Sequence, residues 1–201
     1  SLYFIIKEII VASNIAFGMF SGLTEGAYNA IRLHGSEEQK QTFLPKFIEG
    51  TWSGTMCLTE PQCGTDLGLI KTTAYPEGPE KYKIEATKIF ISCGEHALTE
   101  NIVHLVLPRL PNEPTGIKGI SLFVVPKFLD FTASKNKKRH LVSCGSIENK
   151  MGIKASPTCV MNFDQAVGWL VGEPHKGMSA MVTMMNAARL GVGIQGLVLA
   201  E

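Results

Sequence analysis

The sequence has no Cys-x-x-Cys pair, no excess of charge of either sign and no apolar run long enough to cross a bilayer. Its five cysteines stand singly at positions 57, 63, 93, 144 and 159. An odd, scattered set argues against a disulfide framework and against a zinc site built on paired ligands. A reducing, cytoplasmic compartment is therefore expected. Cys93 and His96 are three apart, but no second pair completes a set of metal ligands, so no metal is expected. The formal net charge of +1 gives no general field for nucleic acid. The basic cluster Lys135, Lys137, Lys138 and Arg139 has no interleaved aromatics and reads as a solvated loop. The apolar stretch from Ile9 to Phe20 is interrupted by Ser13, Asn14 and Gly18, and it falls short of the roughly 20 residues a span needs. No basic leader with a small-residue cleavage site opens the chain, which does not begin with Met. A helical pattern still runs at Glu201, so both ends are expected to be cuts in a longer protein.

What is present changes character twice. Residues 1–50 read as helical: Leu2 to Ala12 is densely apolar, and Phe17, Phe20, Leu23, Ala27, Ala30 and Ile31 recur near a 3.6 period. Gly35 stops that helix, and Ser36-Glu37-Glu38-Gln39 is a capping box opening the next. Pro45 is expected to bend or shorten it. From residue 51 to 172 short β-favouring runs alternate with turn residues such as Pro76-Glu77-Gly78-Pro79 and Pro111-Asn112-Glu113-Pro114. The runs are 70–74, 81–86, 88–91, 102–107, 119–125 and 158–163. Nothing alternates strand with helix, so an antiparallel barrel or sandwich is expected rather than a doubly wound sheet. From 173 to 201 the helical pattern returns, apolar on most sides as in a bundle interior.

Gly191-Val-Gly193-Ile-Gln-Gly196 matches the dinucleotide fingerprint in letters only. That fingerprint needs a preceding strand and an acidic residue about 20 positions on. A Met-rich helix precedes this one, so its glycines are expected to serve close helix packing.

The most informative stretch is Cys57-Leu58-Thr59-Glu60-Pro61-Gln62-Cys63-Gly64-Thr65-Asp66. It reads as a strand that breaks at Pro61 into a loop of small and hydroxyl residues, with Gly64 permitting close backbone approach. Amides and hydroxyls there suit a polar, anionic or carbonyl-bearing ligand; an ordinary capped turn is the alternative. The stretch resembles the signature of acyl-CoA dehydrogenases: small, aliphatic, Ser/Thr, Glu, Pro, any, small, Gly, Ser/Thr, Asp. Lys88-Ile-Phe-Ile-Ser-Cys-Gly94 is similar to that family's Lys-x-Trp-Ile-Thr/Ser-Asn-Gly segment. Met151 to Thr158 resembles its Met/Leu-Gly…Ser-x-Thr strand entry, and Asn186-Ala-Ala-Arg189 resembles the Asn/Asp-x-x-Arg start of its C-terminal bundle. Ser156-Pro157-Thr158 and Thr183 to Arg189 most resemble the branch that contains 3-methylmercaptopropionyl-CoA dehydrogenase.

The resemblance implies an α+β multidomain chain with an antiparallel β-barrel middle domain (51–172) between partial N-terminal (1–50) and C-terminal (173–201) helical domains. It implies FAD as cofactor, with Met56, Leu58, Thr59, Gly64, Thr65, Phe90, Ile91 and Ser92 around it, the loop 59–66 and segment 90–92 lying side by side. Thr65, Asn186 and Arg189 would hold the acyl-CoA. Phe90 replaces the usual Trp, losing an indole donor, and Cys93 replaces the usual Asn. The reaction would be α,β-dehydrogenation, passing electrons to an electron-transfer flavoprotein, in a homo-oligomer. The general-base Glu is expected beyond residue 201: the alternative position just before the bundle Arg is Ala188, and Glu60 belongs to the motif's local structure. No catalytic residue is thus expected in this stretch, which by itself is expected to be inactive. A DNA-damage-response flavoprotein of the same superfamily and a non-catalytic flavin- or acyl-binding module are the alternatives.

Overall fold

The computed structural model describes residues 2–131 and 138–200. Three helices open it: α1 (Leu2–Ser13), α2 (Ile15–His34) and α3 (Glu37–Ile48). Asn14 separates the first two, its Oδ1 accepting the Phe17 amide at 3.0 Å. The capping box of α3 forms: the Gln39 amide donates to Ser36 Oγ at 3.2 Å, and the Ser36 amide to Gln39 Oε1 at 3.1 Å. Pro45 does not cut this helix short, which continues to Ile48. A proline there forfeits one backbone hydrogen bond, and Phe43 and Phe47 anchor the turn around it in the core.

Seven strands follow: β1 (Trp52–Cys57), β2 (Thr73–Pro76), β3 (Tyr82–Ser92), β4 (Asn101–Val106), β5 (Phe123–Pro126), β6 (Val142–Ile147) and β7 (Thr158–Leu170). They form one sheet in the order β1-β4-β5-β7-β3-β2, with β6 beside β7. The expected all-antiparallel barrel is corrected here. The sheet is open and mixed, because β1 and β4 pair in parallel, Trp52 against Asn101 through Cys57 against Val106. The segment after β3 carries the chain back to the start of β1, where the Glu100 amide donates to the Thr51 carbonyl at 2.9 Å. Strand β4 then runs in the same direction as β1. Periodicity records which face a residue takes, not the direction of its neighbour. All six β4 residues are buried, as befits a strand covered on both faces. One face packs on the helices through Val103, Leu105, Trp52, Ala27, Ile31, Met181 and Met184. The other core gathers Ile84, Ile91, Val106, Phe123, Met161 and Phe163. Strand β6 was not expected at all: Val142-Ser-Cys-Gly-Ser-Ile is mostly exposed and held by its ladder to β7 rather than by burial.

Helix α4 (Gly177–Ala200) packs on α2 and α1. Ala180, Met181 and Met184 enter the core, whereas Val182, Leu190, Val192, Leu197 and Leu199 are exposed, so this helix is not buried all round as its composition suggests. Against the expectation that no stretch of the chain suffices, this helix is by length and composition long and apolar enough to cross a membrane. The glycine triplet divides: a Cβ at Gly191 would stand 2.4 Å from Lys7 Nζ on α1, while nothing lies near one at Gly193 or Gly196. Only Gly191 serves close packing. The preceding residues are helical, so the dinucleotide reading lacks its strand.

Candidate functional site

The site is built where β1 ends. Beyond Cys57 the chain leaves the sheet, and the Thr59 carbonyl accepts the Ile89 amide at 2.9 Å. This bond sets the 59–66 loop beside the 89–92 segment of β3. Glu60 and Cys63 close the loop by exchanging backbone hydrogen bonds at 2.9 and 3.0 Å. Gly64 approaches Thr59 so closely that a Cβ there would sit 3.2 Å from Thr59 Cγ2. Asp66 is spent on the Gly68 amide at 2.9 Å, capping the next turn.

Under the loop lies a buried ion pair. Lys88 is fully buried and Glu60 is 4% exposed, with Nζ to Oε1 at 2.8 Å. Lys88 Nζ also donates to the carbonyls of Leu58 at 3.0 Å and Leu107 at 2.9 Å, using all three of its protons. Glu60 accepts further from the Lys71 and Thr72 amides, the Thr72 hydroxyl and the Gln62 side chain. Burial alone would raise the Glu60 carboxyl, but the Lys88 ammonium beside it, with the Thr72 and Lys71 donors, holds it at about 2. Burial pulls the Lys88 ammonium down, opposed by Glu60. A carboxylate this acidic and this fully engaged is no general base. The cysteines of the motif are no better as nucleophiles: burial pushes Cys57 up to about 12 and raises Cys63.

Above the pair the donors are unspent. Among the described residues, none accepts a hydrogen bond from the amides of Thr59, Gly64 or Thr65, or from the hydroxyls of Thr59, Thr65 or Ser92. Gly64 and Thr65 are exposed, and Met56, Leu58, Thr59 and Ser92 half-buried. Phe90 stands at a break in the β3–β7 register between Lys88 and Ile91, with φ at +59° and 59% of its surface exposed. A bulky residue in the left-handed region costs about 1–2 kcal/mol and is a sign of a re-aimed side chain. Ile91 by contrast points into the core. Cys93, also at positive φ, is buried against Ser156 at 3.7 Å and offers no polar contact outward.

Other expected residues lie elsewhere. Asn186 and Arg189 are exposed on α4, bonded to each other at 3.0 Å, so Arg189 is not the buried residue its apolar helix suggests. Lys135 and Lys137 lie outside the described residues, while Arg139 pairs with Glu95, which also holds Lys127. His96 contacts Ser53 at 3.2 Å. An apolar cavity of about 470 Å³, lined by Phe20, Tyr28, Phe47, Trp52 and His96, lies at the opposite end of β1 from Thr59, away from the donor array. The array is the better candidate, because it combines unspent donors with a strained aromatic. The Lys88–Glu60 pair is the feature sequence reasoning missed. Its signal was there: Ile84 and Lys88 share a face by strand period, and a lysine on an inward face requires a partner.

Residues 55–166 match the family model described as acyl-CoA dehydrogenase, middle domain. The chain belongs to the acyl-CoA dehydrogenase family. It is 50% identical over 194 residues to 3-methylmercaptopropionyl-CoA dehydrogenase of Ruegeria pomeroyi, covering 96% of this chain and 33% of that protein. The structure of butyryl-CoA dehydrogenase from Megasphaera elsdenii superimposes with a TM-score of 0.81 at 26% identity, over 98% of this chain and 49% of that one. A glutaryl-CoA dehydrogenase from Mycobacterium smegmatis, solved with FADH2, shares the fold with a TM-score of 0.75 at 24% identity, over 98% of this chain and 46% of that one. This chain thus spans a third to a half of the length of these acyl-CoA dehydrogenases.

Proposed function

We propose that this chain is the flavin-cradling part of an FAD-dependent enzyme that dehydrogenates an acyl-CoA thioester between its α and β carbons. The observation that carries the reading is the row of unspent donors at Thr59, Gly64, Thr65 and Ser92 beside the outward-turned ring of Phe90. These groups fit a flat ring system with a polar edge. Phe90 offers an aromatic face, and the amides and hydroxyls offer hydrogen bonds to oxygen and nitrogen acceptors. FAD, when bound, supplies the acceptor for the hydride that leaves the β-carbon. The protein's part is to hold the ring, and donors fixed before the reaction favour the charge that reduction brings to its polar edge.

Met56 and Leu58 provide the apolar side of this cradle and Ile91 its support from the core. Thr65 at the loop tip, with Asn186 and Arg189, is assigned to the thioester and its nucleotide tail; a guanidinium fork suits phosphate. The base that takes the α-proton is assigned to a Glu outside residues 1–201, since Glu60 is committed to Lys88 and Ala188 stands where some relatives have a carboxylate. The same reading makes the enzyme a homo-oligomer that passes electrons to an electron-transfer flavoprotein. Five free thiols support a reducing compartment, the cytoplasm.

The test is in two parts. FAD added to the 201-residue chain should bind only weakly, because its sites lie partly open to water, and thioesters including 3-methylmercaptopropionyl-CoA and butyryl-CoA should leave its visible absorbance unbleached on the stopped-flow timescale. The whole polypeptide that contains this stretch should be bleached by at least one of them. Failure of the whole polypeptide to bind FAD refutes the flavin reading; rapid bleaching of the chain alone refutes the placement of the base.

A further inference from the structure

The parallel ladder of β1 and β4 does not end for lack of chain. Cys57 pairs with Val106, and the Leu107 amide donates to the Cys57 carbonyl at 3.2 Å. In a regular parallel ladder the next bond would run from the Thr59 amide to the Leu107 carbonyl. That carbonyl is instead taken by Lys88 Nζ at 2.9 Å. The same ammonium takes the Leu58 carbonyl at 3.0 Å. Leu58 C=O and Thr59 N–H belong to one planar trans peptide and point in opposite directions, so holding the carbonyl towards Lys88 turns the Thr59 N–H away from it. The following carbonyl, that of Thr59, is held by the Ile89 amide. Three consecutive groups are thereby fixed while one donor is left free.

We infer that Lys88 is a positioning residue of the flavin site: by occupying the Leu107 and Leu58 carbonyls it stops the ladder and aims the Thr59 amide at the flavin's polar edge. Glu60 is the counter-charge that lets an ammonium stay in this fully buried place, and Thr72 and Lys71 fix Glu60 in turn. The ion pair acts through Thr59 and touches no flavin itself. The inference rests on the flavin reading above, but its mechanical half, the freeing of one amide, is testable without flavin.

The experiment compares the ¹⁵N-labelled 201-residue chain with its K88M/E60Q variant, which removes the pair without stranding a charge. Amide exchange is measured without ligand, and FAD is then titrated while the Thr59 resonance is followed. In the parent chain the Thr59 amide should exchange readily and shift on FAD addition. In the variant it should gain protection of tenfold or more as it pairs with the freed Leu107 carbonyl, FAD should bind at least tenfold more weakly, and β7 amides should exchange as in the parent. Parent-like Thr59 exchange and parent-like FAD affinity in a folded variant would overturn the inference. Absence of FAD binding by the whole polypeptide would overturn the flavin reading, while the exchange comparison still decides whether Lys88 frees Thr59. If the double variant does not fold, T72V, which removes only one bond to Glu60, replaces it: it should slow Thr59 exchange and weaken FAD severalfold, and no change in either refutes the role.

Discussion

Substituting Gln for Glu60 puts the buried pair under the sharpest strain. E60Q keeps the shape of the side chain and several of its hydrogen bonds, but leaves the Lys88 ammonium without a counter-charge at a place with no solvent exposure. Removing one partner of a buried pair costs about 3–5 kcal/mol, most of it the price of the stranded charge. The protein has one escape, which is to fold with Lys88 neutral. A lysine ordinarily titrates at 10.5, so stripping its proton at pH 7 costs about 5 kcal/mol at roughly 1.36 kcal/mol per pH unit. That figure is a ceiling on the damage, and it falls as pH rises. The sign follows from proton counting. Once neutralising Lys88 costs less than stranding its charge, the unfolded state of E60Q carries one more proton at Lys88 than the folded state, so stability should climb by up to about 1.4 kcal/mol per pH unit as pH rises from 7 towards 10. In the parent, where the Glu60 carboxylate offsets much of the burial that pulls Lys88 down, the climb should be smaller. Urea unfolding followed by the fluorescence of Trp52 and Trp169 at pH 7, 8 and 9 measures it. A destabilisation of E60Q below ~1 kcal/mol at pH 7, or one that does not shrink with pH, would refute the claim that Lys88 is a desolvated charge held in place by Glu60.

Four further outcomes are expected. In acid the parent should lose about 3 kcal/mol that E60Q never had: the Glu60 carboxyl is depressed from its ordinary 4.5 to about 2, so its contribution is present above 4.5 and vanishes as pH falls through 2, which an acid titration of near-UV circular dichroism will follow. F90G should raise the melting free energy by up to about 1 kcal/mol by relieving a non-glycine residue at positive φ, while weakening FAD binding, whereas a neutral effect on both would remove Phe90 from the site. G193A should stabilise α4 by about 1 kcal/mol because nothing lies near its Cβ, whereas G119A, whose Cβ would stand 2.0 Å from the Pro114 carbonyl and 2.7 Å from Arg109 Nη1, should cost 2 kcal/mol or more, roughly, by thermal denaturation.

The sequence by itself determined the elements whose signals are local. The capping box at Ser36 and the helical period through Ile31 depend on neighbours a few residues away, so short-range chemistry suffices to read them, whereas the strand expected to run to Pro61 ends at Cys57. The ten residues from Cys57 to Asp66 were enough to point to the family, since a long string of specific residue types is seldom met by chance. What lay beyond reach was whatever depends on which distant segments meet. Whether β4 runs with or against β1 is decided by how residues 93–100 return across the molecule, and alternation of side chains is identical for either direction. Strand β6 exists because β7 offers an edge, not because its own polar residues prefer the β state. Arg189 ends exposed rather than buried because the side of α4 that meets the core is set by α2 and α1. Lys88 shows the division most plainly. Its residue type could be read from the chain, but its three acceptors come from Leu58, Glu60 and Leu107, segments about 20 to 30 positions away on two different paths. A buried charge is tolerable only where such partners converge, and convergence is a property of the tertiary structure alone.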